Sequence, residues 1–440
     1  MTRTTRTITA IGVALALFLL GGIGVLRRPT PAPAAPAPVP EQGRLLAATS
    51  GTGLAATVTS LQERLRRSPD DAAAMATLGL AYVQQARVTV DPALYAKAED
   101  LLRRAAPAVA PDDASAQIGL ASLAAARHDF GASLRSARRA TAIAPYDGAA
   151  YGVLGDALLE LGRYPAAFRA FQRMVDVEPG LASYARVAYA RELQGDIAGA
   201  EEALEIASGV APSADDEAFV WFHLGELASR RGAPRAAADA YGQAAGFAPD
   251  WVAPRAGLAR VAWTRGDRAG AIDAMRAVVA ELPLSEHLTT LGEMLRATGD
   301  AAGARAQFDV LRAQAALLAD GGVNVDLEIA IAEASHGDAR SAVRAAAAEW
   351  ERRHSIHVAD AYAWALHAAG RDAAAWPLVR HALSLGTRDA SLEYHAGMIA
   401  AGRGDRAAAV SHLERALAMN PWFSIAGADE ARRTLRELGP

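Results

Sequence analysis

Residues 161–179, LGRYPAAFRAFQRMVDVEP, read as an amphipathic helix behind a polar turn, and the chain repeats this phrase. HDFGASLRSARRATAIAP precedes it, and RGAPRAAADAYGQAAGFAP and RGDRAAAVSHLERALAMNP follow. Each copy has a small residue five positions after the glycine of the turn (or its equivalent) and closes on proline, and in all but the first, which has Ala137, a larger apolar residue stands four positions after the small one. Aligned on that glycine, the copies fall at Gly162, Gly195, Gly232, Gly266, Gly299, Gly337, Gly370 and Gly404, with His128 in the same place 34 residues before Gly162. The prolines Pro145, Pro179, Pro212, Pro249 and Pro283 keep the same period independently, at 34, 33, 37 and 34.

With the turn glycine at position 15 of each unit, positions 4, 7, 8 and 11 share one face of a first helix, because each residue advances about 100°. Positions 20, 24 and 27 share a face of a second helix. Large residues at 4 and 24 fill the space between the two. A small residue at 8 admits the neighbouring helix, and proline at 32 stops the second helix and resets the chain. The third unit supplies Tyr151, Leu154, Gly155, Leu158, Ala167, Phe171, Met174 and Pro179, and the fifth supplies Trp221, Leu224, Gly225, Ala228, Ala237, Tyr241, Ala244 and Pro249. The tenth keeps Gly397, Ala409, Leu413, Ala416 and Pro421 but has Glu393 at the large position, and the first carries an insertion, ARVTVDPAL.

A helix-turn-helix phrase with a period of 34 resembles the tetratricopeptide repeat, and the resemblance covers about residues 72–422, ten units. It implies an all-α, right-handed superhelical solenoid with long-range contacts only between neighbouring units. A helix ending at Pro69 precedes the repeat, and a more polar helix over 427–438 caps it. In the resembling family the free face of the first helices, positions 2, 5, 9, 12 and 13, lines a concave groove that holds extended peptides or partner helices. That face carries Phe222, Glu226 and Arg230, then Arg260 and Trp263, then Glu293 and Arg296, with His357, Trp364 and Tyr394 in the ninth and tenth units. These ten are the candidate partner-binding residues, since Trp, Tyr and Arg anchor most interfaces. The carboxylate grip of the family's chaperone-binding members is not expected, because Phe222, Ala256 and Thr289 stand where its lysine belongs and Lys97 is the chain's one lysine.

Ahead of the repeats, residues 8–26 are uncharged and flanked by Arg3, Arg6, Arg27 and Arg28. Nineteen residues of helix span roughly 28 Å, about the thickness of a bilayer's hydrocarbon core. The expectation is a signal-anchor within 1–28, single-pass, with the body outside the cytoplasm. Removal as a secretory signal and a cytoplasmic-facing body are the alternatives. Residues 29–56 open with PTPAPAAPAPVP, an extended spacer leading into the body at 57–440.

Beyond residue 28 the chain has 41 basic and 49 acidic residues, an unfavourable balance for nucleic acid. The absence of cysteine excludes thiolate chemistry and disulfides. Seven of the ten histidines lie between His336 and His412, without the spacing that converges on one metal ion, and are expected to be ordinary solvated side chains. Two Arg-Gly-Asp triplets, at 265–267 and 403–405, sit where the repeat needs its turn. No catalytic, cofactor or metal residues are assigned. The functional expectation is a non-enzymatic, membrane-tethered scaffold that binds a protein or peptide; a cytoplasmic regulatory scaffold or an accessory subunit of an envelope enzyme or assembly complex is the alternative.

Overall fold

The computed structural model describes residues 51–439 apart from 90 and 212, so the expected anchor and most of the spacer lie outside the described residues. Among the described residues there are twenty-two helices and no strand, and no helix is long and apolar enough to cross a membrane. A leading helix α1 (Gly51–Arg67) begins inside the span expected to be spacer. Ten hairpins follow. The first five are α2 (Ala72–Thr89) with α3 (Ala93–Ala105), α4 (Ser115–Ala126) with α5 (Phe130–Ile143), α6 (Gly148–Glu160) with α7 (Tyr164–Val177), α8 (Leu181–Leu193) with α9 (Ile197–Ser208), and α10 (Ala214–Arg230) with α11 (Pro234–Phe247). The next five are α12 (Val252–Thr264) with α13 (Arg268–Glu281), α14 (Ser285–Ala297) with α15 (Ala301–Asp320), α16 (Asp326–His336) with α17 (Ala339–Arg352), α18 (Ile356–Ala368) with α19 (Asp372–Ala382), and α20 (Ala390–Gly402) with α21 (Arg406–Met419). A final helix, α22 (Gly427–Leu438), packs on the last hairpin. The insertion in the first unit is absorbed largely by lengthening α2 to Thr89.

The repeat works as its residue sizes require. Phe171 of α7 lies over Gly155 of α6, where any added Cβ would overlap its ring. One unit pair on, Tyr241 is clamped between Gly225 and Gly257, each of whose Cβ atoms would come 2.6 Å from the ring. Position 8 is therefore a seat for the second helix's aromatic as well as a point of close helix approach. The hairpin turns need a left-handed residue: Gly162 has φ +73° and Gly404 has φ +76°. Gly337 departs from this set with φ −144°, next to a unit whose α15 runs to twenty residues. The aspartate after the turn caps the second helix, as Asp267 does for Gly270 N and Asp405 does for Ala408 N. This accounts for both Arg-Gly-Asp triplets as turn-and-cap chemistry.

One expectation fails at the largest scale. Contacts are not confined to neighbouring units, because the coil winds far enough to lie on itself. Tyr164 Oη accepts the Ile356 amide at 2.7 Å, Thr387 Oγ1 donates to the Leu193 carbonyl at 2.5 Å, and His128 Nδ1 lies 2.6 Å from the Asn324 carbonyl. Arg353 reaches across to Glu160, and Asn420 Nδ2 to Ser229 O at 3.5 Å. These pairs are 191 to 196 residues apart, between five and six units. Hairpin turns of units two to five thus carry the inter-unit loops of the turn above. A repeat pattern reports what each unit shows its neighbour and is silent on where the coil closes.

Candidate functional site

The first helices of the units face inward, and the two turns of the coil treat that interior differently. In the lower turn it is filled by ion pairs. Arg186 donates two parallel hydrogen bonds to Asp156, Nε to Oδ1 at 2.9 Å and Nη2 to Oδ2 at 2.7 Å, with both side chains buried. Arg353, 1% exposed, bridges Glu160 below and Glu349 beside it, with its guanidinium 4.7 Å from the Phe130 ring. One cation serving two buried carboxylates leaves one of them short: burial, opposed by Arg353, raises Glu160 to about 7, whereas Glu349 is held low because Arg353, Asn324 and Arg352 overcome its burial. Further along, Arg230 pairs with Glu192, and Arg260 pairs with Glu226, which also accepts from Tyr241 Oη at 2.6 Å. Burial would raise the Glu226 carboxyl, but Arg260 and Arg230 keep it below its ordinary range.

In the upper turn the interior is open. A cavity of about 590 Å³ is lined by the first helices α12, α14, α16, α18 and α20 together with residues 421–430 and Arg432. The segment between α21 and α22 closes the circle: Ile425 packs against the apolar cluster of α12–α15, and the fully buried Asn420 reaches Ser229 at the end of α10. Six of the ten candidate residues line this cavity, namely Arg260, Trp263, Glu293, Arg296, Trp364 and Tyr394. Their setting is ordered. Glu293 lies 3.2 Å from His336 Nε2, Tyr394 Oη donates to Glu430 at 2.7 Å, and Arg268 covers the Trp263 ring at 4.2 Å. Trp364 stacks on His395 with centroids 4.2 Å apart, and His395 Nδ1 is held 2.9 Å from Asp360.

Four candidates lie elsewhere. Phe222 is 1% exposed, packed against Trp251 at 4.8 Å and Tyr241 at 5.8 Å, so it belongs to the core between units five and six. Glu226 and Arg230 belong to the ion-pair column just described. His357, half-buried, lies 3.3 Å from Tyr189 Oη of the turn below. The physical reason is common to all four. A helical wheel leaves positions 2, 5, 9 and 13 free only if the groove is open, and here the next unit or the opposing turn covers them. Tyr394 and Trp263, although they face the cavity, are also mostly buried, at 5% and 7% exposed.

Sequence reading missed Asp156, Glu160, Arg186, Arg353, His336 and His395 as parts of this interior. A signal existed for some of them: position 9 of the first helix is Asp156, Tyr189, Glu226, Arg260 and Glu293 in five successive units and, after Ile331, Trp364, a largely polar or aromatic column no solvated face requires. The histidines are likewise not simply solvated. His336, His367, His395 and His412 each sit against a carboxylate, with His336 only 3% exposed. No group of three or more metal-ligating side chains occurs among the described residues.

Ten stacked helical hairpins with an inward first-helix face define the chain as a helical-repeat solenoid. No family model matches it, and no curated protein does. Solved structures similar to it include a tetratricopeptide repeat protein from Parabacteroides merdae, 18% identical over 58% of this chain and 98% of that one, with TM-score 0.35. The human IFIT1 dimer with PPP-AAAA is 13% identical over 86% of this chain and 90% of that one, with TM-score 0.47. Yeast Tom70 is 13% identical over 88% and 86%, with TM-score 0.38. All three score below 0.5, and the hairpin geometry itself carries the assignment.

Proposed function

We propose that the protein is a non-enzymatic scaffold that holds a short segment of a protein partner in the axial cavity of its upper turn. The observation that supports this most is that five first helices and the 421–430 segment converge their aromatic, arginine and carboxylate side chains on one space of about 590 Å³. That volume falls inside the range of roughly 300–1,000 Å³ typical of ligand sites. Glu293 beside His336, Tyr394 on Glu430 and His395 on Asp360 are already held in fixed orientations, which suits recognition. Trp364 supplies apolar contact area, with Trp263 and Tyr394 largely buried behind the wall, and Arg260, Glu293 and Arg296 supply the directional contacts, so we take these six as the functional set.

The apolar stretch at 8–26 supports attachment to a membrane, with residues 29–50 as a spacer and the solenoid outside the cytoplasm. The body would then present its cavity to envelope partners at a fixed reach. The test is proximity labelling from the full-length chain in its native cells, comparing the wild type with Thr289→Trp, which places an indole in the cavity. Labelled partners should be lost in the variant while its melting curve stays within a few degrees of wild type. Unchanged labelling would remove the cavity from the account.

A further inference from the structure

The outer surface of the second and third units is unlike the rest of the body. Helix α5 contains Arg135, Arg138 and Arg139 and no acidic residue, and its buried side chains Ser133, Leu134, Ala137 and Ala140 lie on the opposite face. Arg163, Arg169 and Arg173 continue the surface on and beside α7. Five of these six arginines are exposed, Arg173 is half-buried, and none pairs with a carboxylate among the described residues. Acidic side chains on these two units are few: Asp129 and Asp147 cap α5 and α6, Asp156 and Glu160 are buried in the interior, and Asp176 and Glu178 remain outside at the end of α7. Beside the arginines stands Tyr146, 80% exposed, its ring backed by Arg173 at 5.8 Å. By contrast, α9 in the next unit presents Glu201, Glu202 and Glu205.

We infer that this face is a docking surface for an anionic lipid headgroup layer. Arginines held apart by two rigid helices suit a field of phosphates, and a tyrosine standing out among them suits the interface between headgroups and acyl chains. The remaining acidic surface is repelled by the same layer, so the body settles with α5 and α7 toward it and the acidic α9 turned aside. An acidic protein segment is the competing occupant, and the test separates the two.

The cysteine-free sequence makes the test clean. Full-length protein carrying Ala142→Cys, exposed on the arginine side of α5, is labelled with a polarity-sensitive fluorophore and reconstituted in vesicles containing headgroup spin labels. Ile206→Cys on α9 is the control. With about 30% phosphatidylglycerol in phosphatidylcholine, quenching at position 142 should exceed that in pure phosphatidylcholine by roughly threefold. It should fall back in about 0.5 M salt, where screening shortens the field. Arg138→Glu with Arg139→Glu should abolish the difference without changing the melting curve, and position 206 should show none. Both vesicle types retain a tethered chain equally, so loss of tethering and loss of docking give different results. Equal quenching in both lipids overturns the inference. So does a probe that responds to polyglutamate and not to anionic vesicles.

Discussion

Phe222 shows what single residues do here. Its ring is enclosed by Trp251, Tyr241 and His223, so Phe222→Ala removes a packed aromatic from a core that cannot collapse around it. A cost of about 3–5 kcal/mol is expected by chemical denaturation. Arg296, exposed at the cavity mouth, should behave oppositely: Arg296→Ala leaves stability within about 0.5 kcal/mol and weakens partner capture. A second residue-scale expectation concerns acid. Burial holds His223 and His357 at about 4, below the ordinary 6.5, so their contribution is complete above pH 6.5 and is lost as pH falls toward 4. Glu160, raised to about 7 by burial, acts in reverse: its contribution is complete below 4.5 and is lost as pH rises through 7. Burial also raises Asp147, Asp156, Glu178, Glu192 and Asp216, which act in the same sense as Glu160, so the histidines are read as a difference between proteins. On lowering the pH from 6.5 to 5, His223→Asn with His357→Gln should lose less melting temperature, or gain more, than the wild type. Identical pH dependence of the two proteins over that interval would contradict this.

At the scale of the element, the hairpins were legible because each unit states its own packing. Gly155 and Phe171, or Gly225 and Tyr241, are a small residue and the ring that occupies its missing side chain, and their spacing survives any degree of coiling. Gly155→Leu should therefore overpack the α6–α7 contact by about 1–3 kcal/mol, with faster hydrogen exchange there first. The turn-and-cap role of Gly-Asp was half visible: glycine and a polar residue are turn chemistry, whereas the hydrogen bond to Gly270 or Ala408 requires the fold. The segment between α21 and α22 was not legible. Phe423, fully buried, and Ile425 lie outside the periodic phrase, and nothing local announces that one packs on Tyr394 and the other on α12–α15. Ile425→Asp should loosen this strap and raise exchange in residues 420–427 and at the end of α10 together. Changes confined to the strap would show that it closes nothing.

For the whole molecule, the decisive feature is that the coil lies on itself and turns a nominally open groove into a filled lower half and a hollow upper half. The first-helix face singled out in the sequence turns inward, and how much of it stays free is not written in any one unit, because closure depends on the summed rotation of five to six units. Arg353 is where this closure is most costly to disturb. Arg353→Ala leaves Glu160 and Glu349 buried without their shared cation, and a loss of about 3–5 kcal/mol is expected. The closure itself is best measured as a distance. Gly162 abuts the His354 backbone, and the flanking Arg163 and His354 side chains are exposed. Spin labels at Arg163→Cys and His354→Cys in the otherwise cysteine-free chain should give one narrow distance below about 25 Å by pulsed electron resonance. Six units stacked without closure, at about 8–10 Å per packed helix layer, would separate them by roughly 40 Å or more. A broad distribution centred there would contradict the closed coil and, with it, the axial cavity.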